Sequence, residues 1–198
     1  MVVTLLASLI AFFSVYTPSA YAVPPLAPAK AAEAKAEAAS FKFRGAWISP
    51  KIIQAFLPPA SDPALPTVIS IDVAAATGTN RFFGEISVKD GRVFVTESDE
   101  STIAYEWKGR TKNGKHLLVI RETSDGTMVP TNLGIFRIRQ DQGLSAEGKK
   151  YGRVLLELDR LIVLGDRAVA DVALKQNRAT VKVSCENTCT SRQFTLDL

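Results

Sequence analysis

The chain has 198 residues, with 24 Lys and Arg against 20 Asp and Glu, a net charge of +4 and a sequence pI near 9.1. The mildly basic balance suits an acidic partner, but the positive residues are scattered through turns and strands rather than gathered beside exposed aromatics, which argues against nucleic-acid recognition. One histidine and two cysteines fall short of a tetrahedral zinc set, and there is neither a Gly-rich phosphate loop before a helix nor a calcium-loop pattern, so no metal or cofactor is expected.

Met1 to Ala22 carries no charged side chain, and Ala20-Tyr21-Ala22 precedes Val23-Pro24-Pro25. The apolar run Val2 to Tyr16 is short for a bilayer span, Pro18 breaks a helix, and a small-x-small triplet is what a signal peptidase needs. Residues 1–22 therefore read as a secretory signal peptide. No Lys or Arg precedes the run, which keeps an uncleaved N-terminal anchor as the alternative. The expected address is the periplasm or the exterior, with no transmembrane span after signal cleavage. Residues 23–40 are Pro-rich and then Ala/Lys/Glu-rich, without side chains that build a core, and predict a flexible tether or a frayed helix. Residues 41–198 predict a single β-rich domain long enough for a full core.

That domain opens on a helix signal. Ser49 suits an N-cap, Pro50 the first helical position and Pro58 a stop, so that Ile52, Ile53, Phe56 and Leu57 share one face. From Thr67 the period becomes two: Ile69, Ile71 and Val73 alternate with Ser70 and Asp72. Ile86 and Val88 lead into the tight-turn sequence Lys89-Asp90-Gly91-Arg92, and Val93 and Val95 form the return. Ile103, Tyr105 and Trp107 share a face opposite Glu106 and Lys108. Lys112-Asn113-Gly114-Lys115 marks a second turn before a strand at Leu117 to Arg121, and Asp125-Gly126 a third. Further strands are expected at Ile135 to Arg139, Val154 to Asp159, Leu161 to Leu164, Val169 to Leu174, Ala179 to Cys185 and Gln193 to Leu198. Turns at roughly ten-residue spacing imply an all-β fold, an antiparallel barrel or else a sandwich, of roughly eight to ten strands with one short N-terminal helix. The barrel is favoured because so many strands leave open edges to protect and the helix is placed to plug one end.

Gly45-Ala46-Trp47 resembles the Gly-x-Trp triplet that opens the first strand of lipocalins, secreted barrels that bind small apolar ligands. The resemblance implies that a basic residue of the last strand, here Arg192, packs on Trp47. It covers only those positions. Pro50 and a helix follow where the family has a long strand, and no Thr-Asp-Tyr segment occurs.

Cys185 and Cys189, separated by a polar turn in an exported chain, are expected to form a disulfide. The acidic residues Glu85, Glu97, Glu106, Glu122 and Glu157 read as solvent-facing, and His116 has no nucleophile motif near it, so no catalytic residue is expected. Two binding readings rank ahead of a third, a hydrolase in which two of these carboxylates face each other across a cleft. Trp47, Tyr105, Trp107 and Phe136 are candidates to line a cavity for a small apolar ligand or lipid. Alternatively, Lys89, Arg92, Lys112, Lys115 and His116, read as exposed on hairpin turns, present an interaction surface to an envelope protein or an acidic polymer.

Overall fold

The computed structural model describes residues 40–58, 68–76, 82, 84–97, 101–123, 128–185 and 191–198, of which 66% lie in strands. The expected signal, nearly all of the tether, the Asp125-Gly126 turn and Cys189 lie outside these residues. In chain order the elements are β1 (Lys42–Phe43), β2 (Ala46–Trp47), α1 (Pro50–Gln54), β3 (Ser70–Asp72), α2 (Val73–Ala76), β4 (Ser87–Lys89) and β5 (Arg92–Thr96). There follow β6 (Thr102–Arg110), β7 (Lys115–Thr123), β8 (Pro130–Leu144), β9 (Lys150–Asp166), β10 (Ala168–Lys175), β11 (Arg178–Cys185) and β12 (Arg192–Asp197).

Local chemistry sets the junctions. Asp90 and Gly91 both have positive φ, 52° and 75°, the pair a two-residue hairpin needs to match the right-handed twist of its strands. Ser49 caps α1 by accepting from the Lys51 N–H at 3.3 Å, with Pro50 at the first turn, as expected. Asp72 acts similarly: its carboxylate accepts from the Ala74 N–H at 3.0 Å. That cap turns the alternating run after Asp72 into α2, a second helix the periodicity did not announce, so Val73 is buried from a helix while Ile69 is 71% exposed.

β4 to β9 form an antiparallel meander, and β3 joins the far side of β9, giving the order β3-β9-β8-β7-β6-β5-β4. A second sheet, β10-β11-β12, is also a meander. One face of the large sheet receives α1 and the turn after it, where Ile52, Ile53 and Phe56 pack among Val93, Ile103, Tyr105, Leu118, Phe136 and Leu156. The opposite face receives the small sheet, with Leu117, Val119, Leu133 and Leu164 meeting Ala170, Val181 and Val183. Each fully buried aliphatic or aromatic side chain contributes about 1.5–3 kcal/mol. β7 is therefore apolar on both faces through its centre, which explains why Leu117 to Ile120 is an unbroken apolar run.

The antiparallel all-β class and the helix at its start stand as expected, but the favoured barrel is not closed. β3 and β4 end the large sheet, each only three residues long. Short end strands are one way of managing open edges, and the second face is covered by a sheet instead of being curled inward. The expected strands at Val154 to Asp159 and Leu161 to Leu164 are one 17-residue strand, β9, paired with a 15-residue β8. Register shifts at Thr131/Asn132 and Ile135/Phe136 accommodate the twist of so long a pair.

The lipocalin-like expectation for Arg192 is also corrected. Arg192 lies over the Phe194 ring at 5.7 Å and donates to the Val163 carbonyl at 2.9 Å, whereas Trp47 has the Lys42 ammonium 4.8 Å from its ring. β12 belongs to the small sheet, on the other side of the large sheet from the cluster that holds Trp47.

Candidate functional site

The four aromatic cavity candidates converge on one cluster. Tyr105 and Phe136 are fully buried, and Trp47 and Trp107 are half-buried, 6.4 Å apart between ring centroids. The Tyr105 hydroxyl donates to the Ile48 carbonyl at 2.7 Å, and burial raises its pKa far above the usual phenol range. The Phe41 ring lies 5.5 Å from Tyr105 and 6.3 Å from Phe136, and Phe56 of the turn after α1 lies 5.3 Å from Phe136. These rings pack on one another and on the N-terminal segment.

The basic residues of the second turn part company. The Lys112 N–H donates to the Gln176 carbonyl at 3.1 Å, the Asn113 N–H to Asn177 Oδ1 at 3.0 Å, and Asn113 Nδ2 to the Leu198 carbonyl at 2.8 Å. This turn is thus fastened to the β10–β11 turn. Lys115 pairs with Asp159 at 2.8 Å. His116, expected to be exposed, is 1% exposed. It lies in phase with Leu118 and Ile120, a spacing that outweighs its closeness to the turn. Its ring lies 5.3 Å from Phe41 and 6.3 Å from Trp107, its Nδ1 has no hydrogen-bond partner, and burial, then the Arg110 charge, lower its pKa to about 4.

Lys89 and Arg92 remain at the surface. Together with Arg121 they border a shallow groove of about 390 Å³ on the face of the large sheet beside the small one. Register fixes its shape: Phe94, Ala104 and Arg121 stand side by side on β5, β6 and β7, with Arg92 and Glu106 in the next row. Ala104, having almost no side chain, forms a low floor between Phe94 and Arg121. The Arg121 guanidinium donates to the Ala168 carbonyl at 3.2 Å, anchoring one wall at the seam between the sheets. A pit of about 10 Å³ between Arg92, Glu106 and Arg121 adjoins the floor.

The groove lining carries Lys89, Arg92 and Arg121 against one carboxylate, Asp90. Among the described residues Lys89 and Arg92 form no ion pair, as is also true of Lys112, Lys150, Arg160, Lys175 and Lys182; Lys89 and Arg92 differ in bordering one groove together. Lys108 engages Glu106, the carboxylate that lines the adjoining pit. A second recess of about 460 Å³ involves Lys175, Arg178 and Asp197, and there the Arg178–Asp197 pair at 2.9 Å offsets much of the charge. The sequence reading missed Phe94 and Arg121. The available signal was Val93-Phe94-Val95, in which the middle residue of an apolar triplet must face away from the core that takes its neighbours.

β11 ends at Cys185; there is no free cysteine among the described residues, and Cys189 lies outside them. A Cys185–Cys189 bond predicts that denatured, nonreduced protein takes up no thiol reagent and that reduction exposes both thiols. Stoichiometric labelling without reductant rules the bond out. Also among the described residues, no three His, Cys, Asp or Glu side chains are grouped to hold a metal ion, and no helix is long and apolar enough to cross a membrane. No family model, curated protein or solved structure matches the chain.

Proposed function

We propose that the protein is an exported, non-catalytic recognition module that binds an anionic envelope partner through the groove between Lys89, Arg92 and Arg121. The observation that supports this reading is that two cations, Lys89 and Arg92, have no carboxylate partner among the described residues and border a recess with an apolar floor. Export rests on the composition of residues 1–22. The apolar-ligand reading draws less support, because the residues that would line its cavity are packed as core.

Exposed ion pairs contribute about 0–1 kcal/mol each and are screened by salt, so contacts to Lys89 and Arg92 make a weak, salt-sensitive site. Repetition of the anionic unit along a polymer would raise the apparent affinity by rebinding. Charge reversal at Lys89→Glu/Arg92→Glu is expected to weaken binding of a fluorescent polyanion about tenfold, equivalent to about 1.4 kcal/mol. The control Lys175→Glu/Lys182→Glu makes the same change of net charge away from the groove and is expected to shift affinity only slightly. Equal losses from the two variants would mean that overall charge, not the groove, attracts the ligand.

A further inference from the structure

We infer, resting on that reading of the groove, that its occupant is an acidic glycan, a sugar chain bearing uronate carboxylates, rather than an acidic peptide. The floor is formed by β5, β6 and β7, each hydrogen-bonded to a strand on both sides. Its backbone donors and acceptors are therefore already used in the sheet ladders. An extended peptide gains affinity on a sheet chiefly by adding to an edge, and over this face its own N–H and C=O groups find no matching row. A sugar chain carries hydroxyls instead, which pair with side chains and water.

The side chains fit that chemistry. Phe94 faces Ala104 across the β5–β6 pair, so the neighbouring strand contributes no bulk to cover the aromatic side chain from that direction. A pyranose presents an apolar C–H face to such a ring and polar groups at its rim, the division that aromatic side chains with wet surroundings recognise. Thr102 and Thr123 stand opposite each other at one end of the groove, supplying hydroxyls that donate or accept. Arg92 and Arg121 lie two strands apart, about 10 Å across the sheet. That separation leaves room for a sugar ring over Ala104 with an anionic group near the Arg92 guanidinium. Asp90, the single carboxylate among the described lining residues, marks the end at which an uncharged part of the sugar chain would lie.

Calorimetric titration of the protein with hexagalacturonate, hexaglutamate and the neutral maltohexaose separates the possibilities. Hexagalacturonate is expected to bind at least tenfold more tightly than hexaglutamate, with no measurable binding of maltohexaose. Phe94→Leu, which keeps an apolar residue on the strand but removes the ring, is expected to weaken hexagalacturonate about tenfold and leave hexaglutamate unchanged; thermal melting confirms that the variant is folded. Equal binding of the two anionic hexamers, insensitive to Phe94→Leu, overturns the glycan assignment while leaving an anion-binding groove. Failure of both to bind overturns the groove reading as well.

Discussion

Lowering the pH from 7 to 4 is expected to remove about 3 kcal/mol of folding stability through His116 alone. The ring is held neutral in the fold, with its pKa lowered to about 4 first by burial and then by the Arg110 charge, whereas in the unfolded chain it titrates near 6.5. The folded state thus binds fewer protons than the unfolded state between those values. The contribution is fully present above pH 6.5, declines as the pH falls, and levels off below 4. Among the described residues no carboxylate offsets the charge at Nδ1, which has no partner there, and the ring neighbours are Phe41 and Trp107. Urea unfolding at pH 7, 5.5 and 4 measures the slope. His116→Phe is expected to flatten most of it; if that variant loses as much stability as the parent, protonation of carboxylates is responsible instead.

Phe136→Ala is expected to cost about 3–5 kcal/mol, a large share of the 5–15 kcal/mol by which small domains are stable. Phe136 is 0% exposed and lies between the Phe41 and Phe56 rings, so its removal opens a void where the N-terminal segment meets the sheet. The void has little chance of collapsing. The ring lies over Gly134, where an added Cβ would come within 2.4 Å of it, and the glycine has no side chain to swing into the vacated space. The comparison is Leu144→Ala at an exposed position, expected to change stability by less than about 0.5 kcal/mol. A loss below about 1 kcal/mol for Phe136→Ala in denaturant unfolding would show that the cluster tolerates rearrangement and is less tightly determined than its geometry implies.

Much of the fold was legible wherever a local rule decides. Ser49-Pro50 announced α1, Asp90-Gly91 its hairpin, and the alternation of Ile103 and Tyr105 the buried face of β6. The reading failed where tertiary context decides. The strand runs through Asp72 as expected, but its carboxylate also caps, so Val73 enters α2 instead of continuing the alternation. His116 looked like a turn residue because the turn is adjacent in sequence, while its phase with Leu118 and Ile120 pointed inward. The double burial of β7 makes periodicity uninformative there, so nothing in the apolar run Leu117 to Ile120 told a closed barrel from a sheet covered on both sides. For the groove, Lys89 and Arg92 were visible as basic turn residues. Arg121 was not, since its nearness depends on two strand pairings whose register no short motif encodes.

From β4 to β9, and again from β10 to β12, neighbours in space are neighbours in the chain, so each pairing closes only a short loop. β3 and α1 are the exceptions. β3 pairs with β9, and α1 packs on strands that all come later in the chain. On a chain that is made from its N-terminus, Ile52, Ile53 and Phe56 emerge before any surface exists to receive them. The sequential hairpins can pair as they appear, whereas α1 and β3 have no partner to pack on until strands that come much later in the chain are in place.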